Sequence, residues 1–247
     1  MKEIALADCW YWFLLAAVVS YFLGCINFAV IISKARHRDV RKIGSGNPGS
    51  MNMSREFGLK VGLLNFLFDC LKGGIAVIAV YYIFEGYRFE GTKILVSDMA
   101  RYVAGLFAVI GHIYPVFLKF KGGKGIATTY GVFWFGIGCE DPWYFMFVLV
   151  AFILVLLFIL ITEMGSMGSL LGVTAFSIWQ GSIFYDRYVG VMKISMGYVA
   201  VLFTLLLLLN FLTWFRHREN LIRLFAGEEH RTSVKKLHGG KRGMDNM

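Results

Sequence analysis

Seven times between residues 10 and 215 the chain enters an apolar run, in all but one case about as long as a bilayer is thick, and each time it leaves through a short polar stretch. A hydrocarbon core about 30 Å thick takes about 20 helical residues, and lipid offers backbone N–H and C=O groups no partners, so such runs must fold as helices. The runs lie at residues 10–33, 61–84, 99–118, 126–139, 143–161, 166–185 and 194–215. A soluble domain would have to hide all of them in one core. At 57% hydrophobic and 17% charged residues, with a mean hydropathy of +0.63, there is too little polar surface to cover such a core. The expected fold is therefore all-α, an integral membrane bundle of seven transmembrane helices. It forms one domain over residues 1–236, followed by a polar, glycine-rich tail at 237–247 that is expected to be flexible. The fourth run has only 14 residues, about 21 Å of helix, and is expected to borrow its first turn from the loop before it.

The formal net charge of +9 would suit a nucleic-acid partner if it were spread over one surface. It is not. The segments 34–60, 119–125, 162–165 and 216–247 carry 18 Lys and Arg, whereas 1–9, 85–98, 140–142 and 186–193 carry five. Alternate loops of a seven-span chain lie on opposite sides, and the basic side faces the cytoplasm, so the N-terminus is expected outside and the C-terminus in the cytoplasm. That asymmetry accounts for the charge without nucleic acid. Cys9, Cys25, Cys70 and Cys139 show no paired spacing and the five histidines are scattered, so no metal and no cofactor are expected.

Two glycine-rich loops fall on the basic side. The first reads Gly44-Ser45-Gly46-Asn47-Pro48-Gly49-Ser50-Met51-Asn52 and is followed by Arg55; the second holds Lys119, Lys121, Gly122, Gly123, Lys124 and Gly125. Glycines let backbone N–H groups approach an anion, and a helix starting just after them turns its positive end the same way. A tight turn between spans needs glycine too, but not a serine, two asparagines and an arginine as well. Neither loop is a nucleotide-hydrolysing P-loop, because Gly125 follows Lys124 where a hydroxyl would be needed for magnesium.

Other polar groups sit in or beside the spans. Asp69 and Lys72 have the spacing of a pair on one helix face and are open to a structural or a functional reading, as is His112. Residues 162–169, with Ser166 and Ser169, are small enough to serve close packing, yet their hydroxyls fall on the side of the glycine loops. After Arg216 an amphipathic helix is expected, with His217 and Asn220 on one face.

These loops, in this order, closely resemble those of the bacterial acyl-phosphate:glycerol-3-phosphate acyltransferases. The resemblance rests on Gly44 to Asn52 with Arg55, on Gly111 to Thr129, on the serine-containing third loop, and on Arg216-His217-Arg218-Glu219-Asn220 with Glu229. Ser50 and Met51 stand where that family has Ala-Thr, residues 163–165 interrupt the third motif, and Glu228 replaces a threonine. The resemblance implies acyl transfer from acyl phosphate to the 1-hydroxyl of glycerol 3-phosphate, on the cytoplasmic face of the bacterial inner membrane, as the first acylation of phospholipid synthesis. The implied catalytic residues are Ser45, Asn47, Arg55, Lys124, His217 and Asn220. Implied substrate- and phosphate-binding residues are Gly44, Gly46, Gly49, Asn52, Gly122, Gly123, Gly125, Ser166, Ser169 and Glu229. The implied partners are the two substrates and membrane lipid. No histidine is followed five residues on by aspartate, so the base motif of acyl-CoA-dependent glycerolipid acyltransferases is absent. The rival is a carrier of an organic phosphate, which would need polar groups reachable from both faces.

Overall fold

A computed structural model describes residues 1–228. The apolar runs are helical, as lipid requires, and the helices in chain order are α1 (Leu6–Cys25), α2 (Phe28–Ala35), α3 (Ser50–Phe57), α4 (Leu59–Phe84), α5 (Val96–Ile113), α6 (Ile126–Gly138), α7 (Tyr144–Thr162), α8 (Gly165–Phe184), α9 (Met196–Arg216) and α10 (Arg218–Phe225). Among the described residues five segments are long and apolar enough to cross a membrane: α1 with α2, α4, α5 with the turn after it, α7 and α9. The expected fourth and sixth spans are helical but fall outside that group, α6 because it has only 13 residues. α8 is 20 residues long but rich in Gly and Ser.

One sequence expectation needs correction. α6 does not borrow a turn from the glycine loop, because Gly125 caps it at φ +88°, outside the helical region. Asp98, which stands just before the third apolar run, lies in the first turn of α5 and is buried. The fold also contains a small element that hydropathy could not reveal, a parallel pair of strands, β1 (Lys2–Ile4) and β2 (Tyr87–Phe89), which ties the N-terminus to the α4–α5 connection.

α5 is the central helix. Most of its residues are buried by protein, whereas α7 buries only Val148 and stands at the periphery. Without a hydrophobic drive between helices in lipid, close approach of backbones must supply the packing. A Cβ on Gly131 of α6 would lie 1.9 Å from the Cys70 carbonyl oxygen of α4, and one on Gly111 of α5 would lie 2.1 Å from that of Tyr21 in α1. α6 is thus pressed against α4, and α1 against α5.

One end of this bundle is closed by charge. Arg101, fully buried, pairs with Asp98 at 2.9 Å and with Glu140, while Arg187 bonds Asp98 at 2.8 Å and also reaches Glu140. Gln180 donates to Glu140 at 2.8 Å, and the Tyr188 hydroxyl donates to Asp98. Two positive and two negative groups so arranged satisfy one another, and they join α5, α8 and the turns after α6 and α8.

Candidate functional site

The opposite end holds a cavity of about 1170 Å³. Its floor and walls come from the first half of α4, the start of α6, the second half of α7, the start of α8 and the end of α9, together with both glycine loops and α10.

The first loop owes its shape to Asn52. This buried side chain accepts from the Ser45 N–H at 3.1 Å and donates to the carbonyls of Val40 and Ile43 at 3.2 and 3.1 Å. Both amide hydrogens and one acceptor position are used within the loop, so Asn52 organises the loop as well as lining the cavity. Ser45, Gly46, Asn47 and Gly49 line the cavity beside it, whereas Gly44 only turns the chain, at φ +58°. Arg55 projects from α3 into the cavity wall and is in no ion pair or hydrogen bond among the described residues.

The second loop departs from expectation. The N–H groups of Gly122 and Gly123, expected to face an anion, donate to Ile113 and His112 carbonyls at 3.1 and 3.2 Å. The last carbonyls of α5 lack intrahelical donors, and the loop, folding back over that helix end, supplies them. A Cβ on Gly123 would come within 2.3 Å of His112 Nε2, so only glycine permits this approach. Gly123 therefore supports the site without lining it, while Gly122, Lys124 and Gly125 do line it.

On the third side Asn220 is a junction. Its Oδ1 accepts from Lys124 and, at 2.9 Å, from Arg223, and its Nδ2 donates to Ser166 Oγ at 2.6 Å. The second loop, α8 and α10 meet at this one amide. Ser169 also lines the cavity but donates its hydroxyl proton to the Gly165 carbonyl at 2.8 Å. His217, at the α9–α10 junction, is buried, and its Nδ1 lies 2.8 Å from the Thr213 carbonyl oxygen, so Nδ1 must carry a proton. Burial lowers its pKa to about 4, aided by Lys124 and Arg216 and opposed by the Thr213 bond. At neutral pH His217 is therefore uncharged, and its Nε2 can accept a hydroxyl proton in a hydrogen bond. Glu229 and the 237–247 tail lie outside the described residues.

Further cations line the cavity that single-loop reading did not select: Arg41, Lys42, Arg216, Arg218 and Arg223, besides Lys119 and Lys121. Arg41 is held by Asp39 through bonds of 3.0 and 2.8 Å, and that pairing brings the Asp39 carboxyl down to about 2. The helical spacing of Asn220 and Arg223 was a usable signal; Arg41 gave none, since it read as one of a run of topology-setting charges. Asp69, His112 and Glu219 also line the cavity, and most of the remaining wall is apolar, with Leu63 and Phe66 of α4 facing Phe152, Val155, Leu156 and Ile159 of α7. A cationic basin thus opens into an apolar groove, a shape for an anion that carries a hydrocarbon chain.

The family model described as glycerol-3-phosphate acyltransferase matches residues 14–227. A glycerol-3-phosphate acyltransferase of Finegoldia magna is 36% identical over 219 residues, covering 87% of this chain and 94% of its own. That of Thermosipho melanesiensis is 35% identical over 228 residues, covering 90% and 94%. In three dimensions the chain is similar to the crystal structure of PlsY (YgiH), an integral membrane glycerol 3-phosphate acyltransferase, in its glycerol 3-phosphate form. The TM-score is 0.71 with 30% identity, over 91% of this chain and 98% of that one. The lysophosphatidic acid form of PlsY gives a TM-score of 0.68 with 29% identity, over 91% and 97%. With its apolar helices, its one-ended cavity and matches that span nearly its whole length, this multi-pass membrane protein belongs to the glycerol-3-phosphate acyltransferase family.

Proposed function

We propose that the protein transfers a fatty acyl group from acyl phosphate to the 1-hydroxyl of sn-glycerol 3-phosphate, giving lysophosphatidic acid and inorganic phosphate. The observation that carries this reading is the single cavity in which a basin lined by Arg55, Lys124 and further cations runs into the apolar groove between α4 and α7. The glycerol 3-phosphate and lysophosphatidic acid forms of the PlsY neighbour support the acceptor and the product. In this reading Ser45, Arg55 and Lys124 hold phosphate, Asn47 and the Gly46 and Gly49 backbone complete the first loop, Ser166 is aligned by Asn220, and His217 accepts from the glycerol. The acceptor hydroxyl oxygen attacks the acyl carbon, the bond from that carbon to the phosphate oxygen breaks, and the hydroxyl proton leaves on phosphate. Because the donor is already activated, positioning and charge neutralisation suffice without a base of the histidine-aspartate type.

We also propose seven spans, with α6 and α8 completing the set, the N-terminus outside, and the cavity facing the cytoplasm of the inner membrane. The support is the excess of Lys and Arg at the cavity end. Single cysteines at positions 90 and 121 should react with impermeant reagents from the outside and the inside respectively; labelling of position 90 from inside contradicts the orientation. A carrier would require passage to the far end, where Arg101, Arg187, Asp98 and Glu140 are packed against one another.

Purified protein should form lysophosphatidic acid from palmitoyl phosphate and labelled glycerol 3-phosphate, at a rate at least 10²-fold above that with palmitoyl-CoA. A thioester leaves as a thiolate that brings no phosphate oxygen to the cationic basin at the reacting carbon. Comparable rates with the two donors would sink the donor assignment and the substrate-assisted proton transfer together.

A further inference from the structure

Between the two glycine loops runs a buried polar chain that the transfer reaction does not use directly. Asn65, fully buried in α4, donates to Ser50 Oγ at 3.0 Å in the first turn of α3 and to Asp69 Oδ2 at 3.1 Å. Asp69 pairs with Lys72 at 2.8 Å, and Lys72 donates to the Ile26 carbonyl at 2.8 Å, where α1 gives way to α2. On its other side Asp69 Oδ1 lies 3.5 Å from His112 Nδ1. The carbonyl of His112 accepts from Gly123, and its ring fills the place where a Gly123 side chain would be. The chain thus begins at the helix that carries Arg55 and ends at the loop that carries Lys124.

Asp69 lines the cavity, but a buried carboxylate already paired with Lys72 repels phosphate and is unsuited to binding it. Nor does stability call for it, since a buried ion pair adds little over apolar side chains of the same volume. We propose that Asp69 and His112 are positioning residues, which fix Lys124 relative to Arg55 by holding the second glycine loop in register with the first. The catalytic consequence rests on the acyl-transfer reading, but the coupling itself does not.

The test is a double-mutant cycle on the full-length protein in lipid nanodiscs with Asp69→Asn, Gly123→Ala and both together, scoring kcat, KM for glycerol 3-phosphate and thermal unfolding. The two sites touch His112 from opposite sides and are not in contact with each other. Each single variant is expected to lose roughly 10- to 100-fold in kcat/KM, mostly in kcat, while the double variant falls no further than the worse single one. Losses that multiply in the double variant, or a near-normal rate for Asp69→Asn, overturn the proposal. If Asp69→Asn fails to fold, His112→Gln takes its place in the cycle under the same two criteria. All rates are ratios to wild type with whichever acyl donor the wild type uses, so failure with palmitoyl phosphate tells against the donor reading alone.

Discussion

Replacing Lys124 with alanine is expected to lower kcat/KM for acyl transfer by about 10²- to 10³-fold, the usual cost of losing one oriented group that meets charge developing in the transition state. The variant should fold. Asn220 keeps a donor to its Oδ1 from Arg223 at 2.9 Å and its own bond to Ser166 at 2.6 Å, so the junction of α8 and α10 survives the loss. Gly122 and Gly123 also remain bonded to the end of α5 through backbone atoms that the substitution leaves in place. Initial rates over a range of both substrates, alongside thermal unfolding, separate the two contributions. Turnover within a few-fold of wild type would remove Lys124 from the transition state, whatever the other cations do.

Arg55→Lys is expected to raise KM for glycerol 3-phosphate by roughly 10- to 100-fold, because an ammonium cannot reproduce the two parallel N–H bonds of a guanidinium to a phosphate. That range corresponds to about 1.4–2.7 kcal/mol, comparable to the worth of a hydrogen bond to a charged group. Arg55 serves no structural contact among the described residues and stands at the exposed side of α3, so its loss costs the fold little. The contrast with Lys124 lies in which parameter moves. A KM unchanged by Arg55→Lys, measured at saturating acyl donor, would show that the first loop does not grip the acceptor.

Much of this arrangement was legible in the sequence because it depends on local signals. Hydropathy found the helices, since a run without polar groups has no other way to satisfy its backbone in lipid. The spacing of Asp69 and Lys72 announced their ion pair, and the glycine loops announced a site. What was not legible depends on residues far apart in the chain. Nothing near Asp98 signals that Arg187 and Tyr188, some 90 positions on, will bond its carboxylate. Likewise the composition of the second loop suggested N–H groups aimed at a ligand, and only the path of the loop over α5 gave Gly122 and Gly123 to that helix instead. The loop bonds of Asn52 were hidden for a similar reason, as its amide meets carbonyls that no spacing rule connects to it.

The shortness of α6 has a consequence for depth. Thirteen residues span about 20 Å, about 10 Å less than an average hydrocarbon core. None of them is exposed, so longer neighbours such as α4, with 26 residues, and not lipid, stand around the missing length. Where the start of α6 lines the cavity, that shortfall is a recess walled by protein. Under the proposed orientation the acceptor comes down from the cytoplasm to the level of the acyl donor, and the donor need not rise out of its leaflet to be met.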